Sequence, residues 1–506
     1  MANFNKNKKK SAVTAAKNVP ANVRRIATAL PDTHNIAGGQ AFRLTPHYEF
    51  AFALLTTFLE PEFYATANQK IQQIRNAMIK VNDPIFCAKA AIFARTVYGM
   101  RSVSHLVAAD IAKGVKGHSF TKNFFDKVVY RVDDASEILA AYMAMHKKPI
   151  PNSLKKGLAL GLSKFNAYQL AKYKGTNKGV KLVDLFNLVH PKPNAENAKA
   201  YKDLIEGNLV SSDTWESELS EAGQNVSSEA EKAANKKEVW ADLIGNNKIG
   251  YFALLRNLRN ILEQADEKTI KQACALLVNE KAIKKSLVLP FRFMTAMVEL
   301  NKLTSNSMTR MVSDAVSDAI DISVSNVPAF NGETLVVLDD SGSMGNPHSD
   351  VKSPAAIGSL FASVVAKKNN ADIMLFNSAA RYMSYSAKDP VATTTEKIRK
   401  LFQSGGTNFH AIFQVANKKY DRVIILSDMQ GWMGYNAPTT TYGEYCKRHK
   451  ANPKIYSFDL QGHGTVQFPQ DQIYCLAGFS EKTLDLMKVL EEDPGALLKQ
   501  IQAIEL

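Results

Sequence analysis

The chain has 506 residues, of which 63 are Lys or Arg and 48 are Asp or Glu, for a net charge of +15; 45% are hydrophobic and 22% charged. These are the proportions of a soluble globular protein with room for two to four cores. No apolar run reaches the ~18 residues of a membrane span, and Lys8, Lys9 and Lys10 lead into no apolar core of the kind a secretory signal has.

The four cysteines (Cys87, Cys274, Cys446, Cys475) are far apart and form no Cys-x-x-Cys pair. That pattern argues against a disulfide framework or a zinc site and suits reduced thiols in a cytoplasmic protein. The charge is unevenly placed. From Gly332 onward there are 18 basic and 18 acidic residues, so the whole excess lies before that point. A positive field confined to one half suits a polyanionic partner such as nucleic acid, although charge alone fits solubility equally well.

In chain order, residues 1–31 are rich in Lys, Asn and Ala and contain no acid before Asp32. They read as a disordered or extended basic arm. Residues 32–328 read as an all-helical domain. From about Pro46 to Val324 the apolar positions keep helical spacing, as with Leu254, Leu255, Leu258, Ile261 and Leu262 in the segment Tyr251–Gln264. Phe50–Phe58, Ile85–Tyr98, Ile138–Met145 and Leu154–Leu162 repeat the pattern. Successive amphipathic helices of this kind predict a solenoid of stacked pairs. A polar loop is expected between about Lys192 and Lys237. Trp215 and Trp240 suit gaps between helices better than base stacking.

Residues 329–506 change rhythm. The strands Thr334–Leu338, Ala371–Phe376, Arg422–Leu426 and Lys454–Phe458 alternate with the helical segments Pro354–Lys367, Thr395–Phe402 and Ala411–Lys419. Right-handed βαβ units and a parallel sheet covered on both faces follow. Asp339-Asp340-Ser341-Gly342-Ser343 comes directly after the first strand, at the sheet end where open α/β folds bind ligands. Thr407, in Gly405-Gly406-Thr407-Asn408, precedes a helix, and Asp428 follows the third strand. Carboxylates and hydroxyls converging from three loops suit Mg²⁺ or another hard divalent cation. A lone Asp-x-Ser-x-Ser is often only a helix cap; three segments in order are more specific. Asp-Asp after a strand also opens phosphatase-like sites, but Ser341 stands where their second carboxylate belongs.

The set Asp339, Ser341, Ser343, Thr407 and Asp428 resembles the metal-ion-dependent adhesion site of von Willebrand factor A domains. The resemblance implies direct metal contacts from Ser341 and Ser343, and an open position for a partner's carboxylate or phosphate oxygen. Upstream, Ala167–Lys174, Asp184–Pro193, Arg101–His105, Arg131–Asp134, Thr214-Trp215-Glu216, Leu255–Asn260 and Pro290–Phe293 resemble the helical TROVE domain shared by telomerase, Ro and vault proteins. The two resemblances together describe the Ro autoantigen family.

That resemblance implies HEAT-repeat-like helices closed into a ring by the A domain. It further implies small noncoding Y or Y-like RNA on the outer basic surface, and single-stranded ends of misfolded RNA in the central hole, in RNA quality control. It implies RNA contacts at Lys172 and His190. A further family arginine has no clean counterpart here, and Lys174 and Lys178 are the nearest cations. Lys172, Lys174 and Lys178 also read as a solvated lysine face, and His190 as a helix cap or a satisfied core contact. Arg256 and Arg259 lie off the apolar stripe; facing a ring interior and pairing with neighbouring acids are equally open. The alternative reading is a Mg²⁺-dependent protein-interaction module in which the A domain captures an acidic protein and the helical domain is a spacer. The two readings are compatible, since a Ro-type ring could also hold a ribonuclease through RNA or the A domain. With no Walker loop, paired catalytic carboxylates or Cys/His arrangement, no enzymatic activity is expected.

Overall fold

A computed structural model describes residues 20–506 except 57–66, 116–117, 148, 174–178, 211–214, 225–227, 351–352, 435, 464, 470–472, 478–486, 489, 492 and 494. Most of it is helical, with a mixed sheet toward the C-terminus.

The helical array runs from Pro46–Thr56 to Ser307–Ser323. Many of its helices begin where a side chain relieves the first unpaired N–H groups. Asp83 accepts from Ile85 and Phe86, Asp266 from Thr269, Asn279 from Ala282 and Asn306 from Thr309. Helices Thr121–Val128 and Asn152–Ser163 pack closely because Gly157 lies against Phe125: a Cβ there would sit 2.5 Å from that side chain. The helical segment Tyr251–Gln264 is broken at Asn257, whose side chain donates to the Ala253 carbonyl at 2.8 Å. Its stripe of Leu254, Leu255, Leu258 and Ile261 is buried as expected. The expected polar loop is corrected: helices Ala198–Ile205 and Trp215–Glu221 and the start of Glu229–Gly245 lie within it. Buried Ala200, Tyr201 and Leu204 give the first of these a narrow apolar face. Trp240 is fully buried and donates to Gln264 at 3.0 Å.

Strands β1 (Thr33–His34) and β2 (Gln40–Arg43) form a short hairpin. The main sheet contains β3 (Thr334–Asp339), β4 (Asp372–Phe376), β5 (Ala380–Met383), β6 (Arg422–Ser427), β7 (Lys454–Asp459) and β9 (Ile473–Ala477), in the order β5-β4-β3-β6-β7-β9. β8 (Thr465–Val466) lies outside it and pairs with β2. The sheet is mixed, not wholly parallel, because β5 runs antiparallel along the edge of β4. β3 and β6 are buried along their whole length, as their apolar runs require in a sheet covered on both faces. Gly358 lets helix Pro354–Asn369 approach β3, since a Cβ there would meet Leu338 at 2.5 Å.

The N-terminal segment departs from the expectation of a loose arm. Residues 1–19 lie outside the described part, but Ala21–Ala27 is a helix packed on Thr439–His449 of the α/β unit. Val23 and Ile26 supply the apolar reason and are buried. The hairpin of β1 and β2 also joins that unit, by antiparallel pairing of Phe42 with Val466. In return the C-terminal helix Ala496–Gln502 packs on the array helices Pro46–Thr56 and Pro84–Thr96. Lys89 donates to the Gln502 carbonyl at 2.6 Å and Lys127 to that of Glu505 at 2.7 Å. At its far end the array meets the α/β unit again, through Phe291 stacked on Phe361 and Lys367 paired with Asp321 at 2.9 Å.

Inside the array, Asp134 ties three helices together. Fully buried at the start of Val132–His146, it takes a bidentate pair from Arg95 (3.0 and 3.1 Å), a contact from His105 (2.9 Å) and the N–H groups of Tyr130 and Arg131. Burial alone would raise its pKa; the His105 hydrogen bond and the Arg95 charge outweigh burial and hold it well below the usual carboxylate range. A carboxylate depressed in this way stabilises the fold above its unfolded pKa, ~4, and that contribution is withdrawn as pH falls below it. Asp134→Ala leaves Arg95 buried without its partner and is expected to cost about 3–5 kcal/mol. Urea denaturation at pH 7 tests the cost, and a flatter acid limb of stability against pH in the variant tests its origin.

Candidate functional site

Three loops at the carboxyl end of the sheet form the candidate metal site. Asp339, the last residue of β3, and Ser341, Ser343, Thr407 and Asp428 on these loops, all predicted ligands, are buried. The Ser341 N–H donates to Asp339 Oδ1 at 2.8 Å, and the Ser427 hydroxyl donates to Asp339 Oδ2 at 2.6 Å. The Ser341 and Ser343 hydroxyls lie 3.3 Å apart. The Thr407 loop is laced to both others: Gly342 donates to the Gly405 carbonyl, and Trp432 and Met433 donate to that of Thr407.

Two neighbouring buried carboxylates repel each other. Burial, then the charge of Asp428, pushes the Asp339 carboxyl up; burial also raises Asp428, against the opposing Ser343 hydroxyl. Asp428 Oδ1 accepts from Gln430, but its Oδ2 is buried without a hydrogen-bond partner. An orphaned buried carboxylate oxygen beside two hydroxyls is a donor set a hard divalent cation fits. Among the described residues no three His, Cys, Asp or Glu side chains come together as metal ligands; here two carboxylates stand with the hydroxyls of Ser341 and Ser343. Asp340 has a different task, as buried partner of Arg381 on β5, which closes to 2.5 Å.

The predicted RNA contacts divide. Lys172 is exposed near the end of helix Ala167–Tyr173, and His190 is exposed as the left-handed C-cap of Leu182–Val189. Both helices pack on Val132–His146 and Ala198–Ile205. Lys174 and Lys178 lie outside the described residues. Arg256 and Arg259 are exposed on a different stack. Arg259 is held by Glu263 at 3.0 Å and faces Glu299 at 3.7 Å.

Sequence reading missed a cation–aromatic surface beside Lys172. Arg131 stacks over Tyr173, 4.8 Å from the ring centroid, and pairs with Asp133, as does the partly exposed Arg101 at 2.7 Å. Tyr130 is 57% exposed and carries Arg95 against its ring at 5.2 Å. The signal was present in the Arg131–Asp134 motif, but only the fold brings Tyr173 to it.

Residues 207–321 match the TROVE domain family. The telomerase protein component 1 of Rattus norvegicus is 23% identical over 297 residues, 44% of this chain and 11% of that protein. Its Mus musculus counterpart is 32% identical over 122 residues, 24% of this chain and 4% of that protein. The RNA-binding protein RO60 of Deinococcus radiodurans is 25% identical over 222 residues, 40% of this chain and 41% of that protein. The chain thus spans less than half the length of these curated relatives. The crystal structure of the Deinococcus radiodurans Ro protein superposes with a TM-score of 0.60 at 18% identity, covering 87% of this chain and 98% of that one. Residues 207–321 thus match the TROVE domain, the chain is similar in sequence to Ro and telomerase proteins, and it shares the fold of the Deinococcus radiodurans Ro protein.

Proposed function

We propose that the protein is a non-catalytic RNA-binding scaffold of Ro type that works in the cytoplasm. The observation that carries this reading is the placement of charge. The whole excess of +15 lies before Gly332; it includes the exposed Lys172, next to Tyr173, and the partly exposed Arg131, which stacks on Tyr173 and adjoins the exposed Tyr130. Lysine and arginine meet phosphates without regard to sequence, while exposed aromatic faces stack on unpaired bases. Closure of the array into a HEAT-like ring is supported by the attachment of both its ends to the α/β unit. In a ring, structured Y or Y-like RNA binds the outer surface, and a free single-stranded end of misfolded RNA enters the hole, so selection is by shape.

The α/β unit, read as a von Willebrand factor A domain, adds a second binding function. Asp339, Ser341, Ser343, Thr407 and Asp428 would hold Mg²⁺ or another hard divalent cation. When bound, that ion supplies an open position for a carboxylate or phosphate oxygen of a partner, such as an acidic protein or a ribonuclease. Buried carboxylates with an unpartnered oxygen favour this second reading beside the first.

RNA affinity is expected to fall steeply with salt, by about 10³–10⁵ between 50 and 200 mM if 6–10 phosphates are contacted. Lys172→Ala should weaken binding of structured RNA across all sequences and reduce the slope of log K against log salt by about one. Arg259→Ala, whose charge is already paired, should change little. A filter-binding titration with no affinity at low salt would rule out the first reading.

For the second, Mg²⁺ at about 100 times its Kd should stabilise the α/β unit by roughly 2.7 kcal/mol. Thermal melting with and without Mg²⁺ measures this, and Asp339→Ala should erase the shift while leaving RNA affinity intact. A shift that survives the substitution would place the cation elsewhere.

A further inference from the structure

We propose that Asn35, on the N-terminal hairpin, is a positioning residue of the metal site, so that divalent-cation binding and docking of residues 33–43 are thermodynamically linked. The inference rests on the metal-site reading above and adds a segment far away in sequence. The loop from Asp428 to Trp432 has little regular structure to hold it, and Met429 is in the left-handed region at φ 60°. Three side chains fix it instead. Asn35 Nδ2 donates to the Gly431 carbonyl at 2.6 Å, while Asn35 Oδ1 accepts the Gly39 N–H at 2.8 Å. Gln430 Oε1 accepts the Ile36 N–H at 2.9 Å, and its Nε2 turns back to the Asp428 carbonyl at 3.2 Å. Gln467, next to the hairpin's partner strand β8, donates to the Met429 carbonyl at 3.0 Å. Asn35, Gln430 and Gln467 are all buried.

Contact here is backbone to backbone. A Cβ on Gly39 would lie 2.0 Å from the Gly431 carbonyl oxygen and 2.6 Å from Trp432 Cα. The hairpin therefore forms one wall of the loop that presents Asp428. Asn35 suits its place because one amide supplies both a donor and an acceptor; alanine would leave the Gly431 carbonyl and the Gly39 N–H unpaired and buried. The serine loop has a parallel brace. Gln461 Nε2 donates to the Ser343 carbonyl at 3.1 Å, and its neighbour Gly462 accepts from Gln73 of the array helix Ala67–Val81 at 2.8 Å. The Asp428 loop is thus held directly by the N-terminal hairpin, and the serine loop through Gln461, whose neighbour Gly462 is held by the array. Linkage is reciprocal: if undocking the hairpin weakens cation binding by some factor, bound cation favours docking by the same factor.

The test uses the full chain with Mn²⁺ as probe, titrated calorimetrically. Asn35→Ala is expected to weaken Mn²⁺ binding about tenfold, within the usual range of coupling between sites. Asn22→Ala removes a different N-terminal contact, to Asn452, and is expected to leave Mn²⁺ affinity unchanged. Hydrogen exchange over residues 33–43 of the unmodified protein should slow on Mn²⁺ saturation, which a purely structural hairpin would not do. Equal Mn²⁺ affinity in the unmodified protein and Asn35→Ala overturns the linkage, as does exchange indifferent to Mn²⁺. If Asn35→Ala does not fold, Gly39→Ala, which wedges the same contact, and the exchange experiment decide. Failure of the unmodified protein to bind Mn²⁺ at all would instead sink the metal-site reading on which the linkage rests.

Discussion

Both ends of the helical array are fastened to the α/β unit, and this double attachment constrains everything else. A stack of helix pairs has two terminal faces that would expose apolar surface unless capped. At the near end, the C-terminal helix Ala496–Gln502 lies on Pro46–Thr56 and Pro84–Thr96. At the far end, Phe291 stacks on Phe361, and Asp321 accepts both the Lys367 ammonium and the Val391 N–H. One globular unit thus caps both faces, and the chain's outer segments are exchanged: its beginning packs on the α/β unit and its end on the array. Neither unit can shift without breaking contacts at both ends.

Electrostatics divides along the same line. The α/β unit balances its charges; of the excess, seven positive charges lie in residues 1–31 and eight in residues 32–331, which hold the array. Within the array the charges serve two purposes. Arg95 and Asp134 are fully withdrawn from solvent, where breaking one partner is costly. Lys271 with Glu267 and Lys284 with Glu280 are exposed pairs one helical turn apart; such pairs contribute little to stability. The Arg101–Arg131–Asp133 group stands between these extremes. Two guanidiniums share the Asp133 carboxylate at a half-open surface beside two tyrosines, and Arg101 also faces Asp134 at 3.5 Å.

Much of this was legible in the sequence where periodicity or spacing is local. Buried strands β3 and β6 follow from unbroken apolar runs, and the five candidate residues fall at one sheet end because strand–helix alternation places strand ends together. What escaped detection depends on contacts across hundreds of residues. The docked helix Ala21–Ala27 has only Val23 and Ile26 to mark its apolar face, too weak a pattern amid lysines and asparagines. Strand β5 is short and half-buried, so no apolar run announces it and the sheet was read as parallel throughout. The helix Ala198–Ile205 has a one-sided face of three buried residues in a polar setting. Asn35 is unremarkable as sequence; its partners Gly431 and Gly39 matter through close backbone approach, which composition does not encode.

The loops of the candidate site show why such distant support is needed. Asp339 and Asp428 are fully buried, and without a cation their charges oppose each other. Nearby, Ser404 and Met429 adopt left-handed backbone at φ 62° and 60°, conformations that cost of order 1–3 kcal/mol each in a residue with a side chain. Repulsion and strain of this kind persist only where the surroundings hold them. The sheet supplies part of that hold through the Ser427 hydroxyl on Asp339, but the loops themselves extend beyond the strands. Asn35, Gln467 and Gln461 reach them from outside the three ligand-bearing loops, and Gln73 of the array holds Gly462, the neighbour of Gln461; Asn35 and Gln73 lie on the N-terminal side of the chain, beside the near end of the array. The site is therefore built into the junction between the two units, and its geometry depends on that junction staying intact.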